Sequence, residues 1–114
     1  MRAVLQWRSM WMLHGDEATF RLRPGAVKTI GRAPRADFIL DAALVSRIHC
    51  RITATEEKLE VVDLSSTNGV FVNDKKVGRA SLERGDRLRV GRVEFTVNRT
   101  IDRKHANRLI SSHK

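Results

Sequence analysis

The sequence is divided into many short apolar runs, and nearly every run is closed by Gly, Pro, Asn or Asp. Phe20 and Leu22 alternate with arginines before Pro24-Gly25, and a similar alternation recurs over residues 93–97. Period-two alternation interrupted by turn residues roughly every 8–12 residues is typical of antiparallel sandwiches. No sustained helical periodicity precedes residue 100. We therefore predict an all-β fold, an antiparallel β-sandwich of about 10–11 short strands.

The C-terminal segment, residues 99–114, has a different pattern. Thr100 is a suitable N-cap, and Asp102 would fall in the first turn of a helix that starts there. One face of that helix would carry Ile101, His105 and Leu109. The segment has a net charge of +4, since Asp102 is opposed by five cations, Arg99, Arg103, Lys104, Arg108 and Lys114. We predict a sandwich domain over residues 1–98, followed by a basic tail or short C-terminal helix.

Composition limits the class of protein and its partners. A chain of 114 residues suits one domain with one core. Lys and Arg number 22 and Asp and Glu number 13, and this excess of +9 favours anionic partners such as phosphorylated proteins, nucleic acid or acidic lipid. Charge alone does not choose among these partners.

Cysteine content and the N-terminus indicate the compartment. Cys50 is the only cysteine, so an intramolecular disulfide is impossible and we expect a reducing, intracellular setting, cytoplasmic or nuclear. Cys50 lies in an apolar alternation, which predicts a small buried hydrophobe rather than a reactive thiol. The apolar run near Met1 is interrupted by Gln6 and Arg8, so it is too short for a signal peptide or a membrane span. We expect a soluble protein without membrane contact.

The stretch from Asp63 to Asn73 carries the chemistry that most distinguishes this chain. One β-type run enters it, a cluster of hydroxyls and an Asn-Gly turn follow, and the β-type run of residues 70–72 leaves it. Hydroxyl, amide and free backbone N–H groups on a rigid turn can hold an anion or an extended peptide. The alternative is that Asn68-Gly69 is only a hairpin connector.

Two further motifs accompany this stretch. They are Gly31-Arg32 and Ser46-Arg47-x-His49, each at the end or start of a β-type run. Together with Asp63-x-Ser65-x-x-Asn68-Gly69-x-x-Val72-Asn73, in this order and spacing, they resemble the forkhead-associated (FHA) domain. The resemblance covers about residues 11–98, and its specificity comes from three separated motifs that fall in order.

The resemblance implies a phosphothreonine-binding module that recruits phosphorylated partners in signalling. It assigns phosphate binding to Arg32, Ser46, Arg47 and Thr67. It assigns the ligand backbone to Asn68 and, more weakly, to Asn73, which could instead only cap its turn. By resemblance Leu44 faces the third residue after the phosphothreonine, and an apolar side chain there suggests an aliphatic preference. Structural roles fall to Gly31, His49 and Gly69, with His49 buried and bracing the loops.

Catalysis and metal binding receive little support from the sequence. Ser46 and His49 could form a nucleophile and a base, but no acid that would orient the imidazole is identifiable and no nucleophile-elbow context surrounds the serine. The four histidines are scattered, without the spacing of a zinc site. We therefore predict no enzymatic activity, no cofactor and no metal.

Two other binding functions remain open at this stage. The charge of +9 would also suit a module that binds nucleic acid or an acidic surface, but no basic ribbon interleaved with aromatic residues is present. An oligomerisation scaffold in which the tail helix packs on a second copy is the other alternative. We favour a monomer whose partner is a phosphothreonine-containing protein or peptide.

Overall fold

The structure is a computed structural model that describes residues 8–102. That part of the chain contains eleven strands and no helix, as the all-β prediction requires. In chain order the strands are β1 (Arg8–His14), β2 (Thr19–Leu22), β3 (Val27–Gly31), β4 (Phe38–Ile39), β5 (Cys50–Ala54), β6 (Leu59–Asp63), β7 (Val70–Val72), β8 (Lys75–Val77), β9 (Arg79–Leu82), β10 (Arg87–Val90) and β11 (Val93–Asp102).

The strands form two sheets. The six-stranded sheet has the order β2-β1-β11-β10-β7-β8, and the five-stranded sheet has the order β4-β3-β5-β6-β9. All pairings are antiparallel except that of β3 with β4, which is parallel. The predicted sandwich is therefore confirmed, with one parallel pair at the edge of the smaller sheet.

Alternation along the strands builds the core between the sheets. Phe95 and Leu88 of one sheet and Ile52 and Val61 of the other are fully buried. Because successive side chains of a strand point to opposite faces, their neighbours in sequence are more exposed and mostly polar. Phe95 is the largest fully buried side chain, and truncation of such a residue typically removes about 3–5 kcal/mol of stability.

The prediction of a helix that starts at Thr100 is wrong. β11 continues to Asp102, and Thr100 pairs with Met10 of β1. The capping signal of Thr100 is local, whereas β1 offers a full row of backbone partners, and that pairing prevails over local propensity. Strand β11 also crosses the predicted boundary after residue 98. Residues 103–114, on which the rest of the predicted tail falls, lie outside the described residues.

The structure changes one further local expectation and excludes one alternative. The charged run of Asp74, Lys75 and Lys76 predicts a polar turn, but Lys75 and Lys76 belong to β8. The turn is instead formed by Asn73 and Asp74, whose φ angles of 49° and 71° are those of a two-residue hairpin turn of type I′. Asn68-Gly69 is not a hairpin connector, because β6 and β7 belong to different sheets.

The connections divide between the two ends of the sandwich. One end, here called the loop end, collects the β3–β4 loop (residues 32–37), the β4–β5 loop (40–49), the β6–β7 loop (64–69) and the β10–β11 turn (91–92). The opposite end carries the tight turns at residues 23–26, 55–58, 73–74 and 83–86. The longer loops therefore share one end, where Arg32, Ser46 and Asn68 also lie.

Within residues 8–102 there is no helix long and apolar enough to cross a bilayer.

The ionisation of the Cys50 thiol provides a test of its burial in the core. Burial, with a smaller contribution from Asp63, raises the pKa of Cys50 from 9.0 to about 12. The folded protein therefore keeps a proton that the unfolded chain releases above about pH 9, so the free energy of unfolding should fall there by up to about 1.4 kcal/mol per pH unit. Denaturant titrations between pH 8 and 11 should show this slope in the wild type and a shallower one in Cys50→Ala. Equal slopes in the two proteins would contradict the burial of an intact thiol.

Candidate anion-binding site

The β3–β4 and β4–β5 loops are joined by backbone hydrogen bonds. The N–H of Arg32 donates to the carbonyl of Ser46 at 3.0 Å, and the N–H of Ala33 donates to the carbonyl of Arg47 at 3.0 Å. The two loops therefore run side by side across the loop end.

Gly31 makes this close approach possible. A Cβ atom at Gly31 would lie 2.8 Å from the Cα of Ile48 and would collide with the carbonyl of Arg47. Only glycine fits where one backbone lies against another in this way. Gly31 thus admits the β4–β5 loop directly before the arginine that leaves the sheet.

Arg32 is exposed, and its side chain folds back over the β4–β5 loop. Its Nε donates to the carbonyl of Val45 at 3.2 Å. Within the described residues, neither terminal nitrogen of the guanidinium makes a hydrogen bond or an ion pair. The anchored Nε fixes the plane of the group, and the remaining N–H donors stay available to an anion.

Ser46 connects the β4–β5 loop to the β6–β7 loop. Its Oγ accepts a hydrogen bond from the backbone N–H of Thr67 at 3.1 Å. A hydroxyl that accepts one bond still has its proton to donate, so Ser46 can bind a further acceptor such as a phosphate oxygen. The Thr67 side chain is exposed, and its hydroxyl makes no hydrogen bond to any residue between 8 and 102. Two hydroxyls and one guanidinium are thus presented at neighbouring points.

His49 braces the same two loops from beneath. It is fully buried, and its Nδ1 lies 3.0 Å from the backbone nitrogen of Ser46. A backbone N–H can only donate, so Nδ1 accepts and carries no hydrogen. The neutral ring then has its hydrogen on Nε2, which donates to the carbonyl of Gly69 at 2.8 Å. The imidazole spans both loops with its two nitrogens engaged.

Asn68 and Leu44 lie at the exposed rim of the site. The Asn68 amide donates to the carbonyl of Leu44 at 3.2 Å. Leu44 has a φ angle of 68°, a left-handed conformation that is unusual for a large side chain, and 46% of its surface is exposed. An exposed leucine held in a strained conformation indicates that its position serves a purpose other than packing.

Arg47 and Asn73 complete the predicted set of site residues. Arg47 is exposed beside Ser46, while its carbonyl belongs to the loop–loop contact. Asn73 is not with the others, because it follows β7 at the end opposite Gly69. Its Oδ1 accepts from the N–H of Arg87 at 2.9 Å and its amide donates to Asp86 at 3.1 Å. In the structure these contacts fix the β7–β8 turn to the start of β10.

Asp37 shapes the arginine-bearing loop but carried no assignment from the sequence. Its carboxylate accepts from the N–H of Thr29 at 2.8 Å and from the Thr29 hydroxyl at 3.1 Å. These bonds lower the pKa of Asp37 and close the loop that carries Arg32. An Asp and a Thr eight residues apart give no local signal, so the pair could not be identified from the sequence.

Gly91, which the sequence places with Arg92 in a hairpin turn, had no role in the predicted site. It is buried in the β10–β11 turn, and a Cβ atom there would lie 2.8 Å from Val45 Cγ2, 2.9 Å from the Ala43 carbonyl oxygen and 3.0 Å from the Leu44 carbonyl carbon. The turn therefore supports the part of the β4–β5 loop that holds Leu44.

The sequence matches one protein family and several curated relatives. The FHA domain family model matches residues 28–91. The glycogen accumulation regulator GarA of Mycobacterium tuberculosis is 37% identical over 70 residues, which are 61% of this chain and 43% of GarA. The chain spans less than half the length of the curated relatives it matches.

Solved structures agree with the family match. Mycobacterium tuberculosis EmbR in complex with a low-affinity phosphopeptide superposes with a TM-score of 0.71 and 34% identity, over 78% of this chain and 24% of that chain. A structure from a study of phosphothreonine-dependent FHA domain interactions superposes with a TM-score of 0.69 and 36% identity, over 80% of this chain and 95% of that chain.

Gly91 can be tested against a matched glycine. Gly85 also has a positive φ, 94° against 61° for Gly91, but a Cβ atom there would meet nothing within 4 Å. Gly85→Ala should lose roughly 1–2 kcal/mol of stability from backbone strain alone. Gly91→Ala should lose a further 1–3 kcal/mol or so from overpacking.

The two variants should also differ in their amide chemical shifts. Those of residues 43–46 should move in Gly91→Ala and stay unchanged in Gly85→Ala. Unmoved loop shifts in Gly91→Ala would show that the turn does not support the loop.

Proposed function

Because the chain belongs to the forkhead-associated domain family, we propose that it binds phosphothreonine-containing segments of partner proteins at the loop end. The observation that carries this proposal is the hydrogen bond from the Thr67 N–H to the Ser46 Oγ at 3.1 Å, beside the exposed guanidinium of Arg32. This bond joins Ser46 to Thr67, and the bond from Arg32 Nε to the carbonyl of Val45 holds the guanidinium next to Ser46. All of these residues come from a single chain, so binding requires no second copy.

The chemistry of these donors suits a phosphate monoester. Near neutral pH such a group carries a charge of roughly −1.5 to −2 and three strong acceptor oxygens. Arg32 supplies charge and parallel N–H donors, while Ser46 and Thr67 supply neutral hydroxyls. Arg47 provides a second positive charge at the rim. The sandwich holds the loops before the ligand arrives, so little ordering accompanies binding.

The rim residues are proposed to bind the peptide on either side of the phosphothreonine. The Asn68 amide uses one of its two hydrogens for the Leu44 carbonyl, so the other hydrogen and Oδ1 remain available for a ligand peptide bond. The contact is small, and we expect a dissociation constant near micromolar, or about −8 kcal/mol. We assign no ligand contact to Asn73 in this proposal, since its side chain bonds Asp86 and Arg87.

The engagement of His49 supports binding without catalysis. A hydrolase would require the imidazole to face the Ser46 hydroxyl as a general base. Here Nδ1 accepts from the backbone N–H of Ser46, and Nε2 bonds the Gly69 carbonyl. Neither nitrogen is left to take the hydroxyl proton, so we propose that Ser46 acts as a hydrogen-bond donor only.

Arg32→Ala should abolish most phosphopeptide binding. Loss of one charge-assisted contact of about 1.5–3 kcal/mol lowers affinity by roughly 10- to 150-fold. Arg35→Ala is the matched control, because it removes the same charge from an exposed position of the same loop. Calorimetric titration with a phosphothreonine peptide and its unphosphorylated form should separate the two variants, with thermal unfolding as a check of the fold. Undiminished binding by Arg32→Ala would refute the assignment.

Leu44 predicts a preference for an aliphatic residue three positions after the phosphothreonine. In an oriented phosphothreonine library, Leu, Ile or Val should be enriched at that position over Asp. Leu44→Arg should shift the enrichment toward Asp or Glu, because the new side chain offers a cation at the same point. If Asp is already preferred by the wild type, or if the variant selects the same residues, Leu44 does not read this position.

A further inference from the structure

The outer face of the six-stranded sheet carries a row of three side chains beside the β6–β7 loop. Phe71 of β7 pairs with Arg89 of β10 on one side and with Lys76 of β8 on the other. Their strand neighbours Val70 and Val90 point inward and are fully buried, so the row points outward. We name Arg89, Phe71 and Lys76 the cationic strip.

The strip is ordered by contacts among its own members. The Arg89 guanidinium carbon lies 4.1 Å from the centre of the Phe71 ring, a cation–π arrangement. The Lys76 side chain runs toward the loop end, because a Cβ atom at Gly69 would lie 2.9 Å from Lys76 Cε and 3.5 Å from a ring carbon of Phe71. The side chain of Lys76 therefore extends the cationic strip to Gly69, the residue that follows Asn68.

The two positive charges of the strip are not neutralised by neighbouring carboxylates. Within the described part of the chain, no carboxylate lies within ion-pair distance of Lys76 or Arg89. Glu94 is the register partner of Arg89, but its carboxylate lies 3.8 Å from Arg87, which also pairs with Asp74 at 3.1 Å. The nearby acidic groups are thus engaged by Arg87, and the strip presents uncompensated charge.

From this arrangement we propose that the cationic strip binds an acidic segment of the phosphorylated partner, in the part of its chain that flanks the phosphothreonine. The inference rests on the function proposed above and extends its site along the sheet. Asn68 and Phe71 are three residues apart, at most about 10 Å, so the acidic residues should begin within about three positions of the phosphothreonine. Complementary charge at that distance increases both affinity and association rate.

The test uses three phosphothreonine peptides of equal length and a charge-matched pair of variants. One peptide has neutral flanks, one has four acidic residues on the N-terminal flank, and one has them on the C-terminal flank. The strip variant is Lys76→Gln with Arg89→Gln. The control variant is Lys58→Gln with Arg84→Gln, which removes the same charge from two exposed positions at the opposite end.

Calorimetry should show that the wild type binds one of the acidic-flank peptides about three- to tenfold more tightly than the neutral peptide. The strip variant should lose that gain, the control variant should keep it, and all three proteins should bind the neutral peptide equally. The gain should also shrink as salt is raised from 50 to 300 mM.

Other outcomes separate this inference from the proposed function. If both variants lose the tighter binding of the acidic-flank peptide equally, that binding depends on the overall charge of the protein. If the wild type shows no tighter binding at all, the strip has no ligand. Either result overturns this inference and leaves the proposed function standing. Equally tight binding of an unphosphorylated acidic peptide would also overturn it, since the strip would then act apart from the phosphothreonine site. Failure of the wild type to bind any phosphopeptide would overturn the proposed function and this inference with it.

Discussion

The loop end depends on one buried imidazole. His49 is fully excluded from solvent, yet both ring nitrogens are paired, one with the Ser46 N–H and the other with the Gly69 carbonyl. Without the ring, the buried Gly69 carbonyl and the half-buried Ser46 N–H would lose their partners, at about 1–3 kcal/mol for a fully buried group. The ring sets the spacing between the β4–β5 and β6–β7 loops, and the hydrogen bond from Thr67 to Ser46 forms only at that spacing.

The hydrogen bonds of the loop end divide into two groups. The β6–β7 loop is held to the β4–β5 loop mainly through side chains, such as those of His49 and Ser46. The β3–β4 loop is joined to the β4–β5 loop mainly through backbone N–H and carbonyl groups, those of Arg32 with Ser46 and of Ala33 with Arg47. Backbone groups must be paired wherever they are buried, so these bonds also satisfy the polar groups that the close approach removes from water. The tips of the side chains then remain for a ligand. A surface of this kind can accept an anion without first breaking its own contacts.

The sequence predicted those parts of the fold that local patterns determine. Alternation identified β2 around Phe20 and Leu22 and the first part of β11. The loop motifs predicted a site at Arg32 and Ser46, and the loops that carry these two residues lie side by side. Pairings between distant segments were beyond such patterns. Thr100 looks like a helix cap until β1 is placed beside it, and Lys76 looks like a turn residue until it is paired with Phe71.

The supports of the site were missed for the same physical reason. Asp37 and Gly91 act through residues far from them in sequence, and neither belongs to a motif with a recognisable spacing. A carboxylate that closes a loop and a glycine that admits a second loop are common residue types in surface turns. Their roles follow from the three-dimensional arrangement of the loop that carries Arg32 and of the turn beneath Leu44.

Leu44 combines a fixed backbone with an exposed side chain. A φ angle of 68° is unfavourable for leucine and persists only where the surroundings determine it. Asn68 holds its carbonyl from one side, and Gly91 leaves room for its backbone on the other. Because these two contacts fix the backbone and not the side chain, the residue at position 44 can change without disturbing Arg32 or Ser46. In the function proposed above, the fold therefore separates anion binding, which requires fixed donors, from recognition of the flanking peptide, which requires a side chain that can vary.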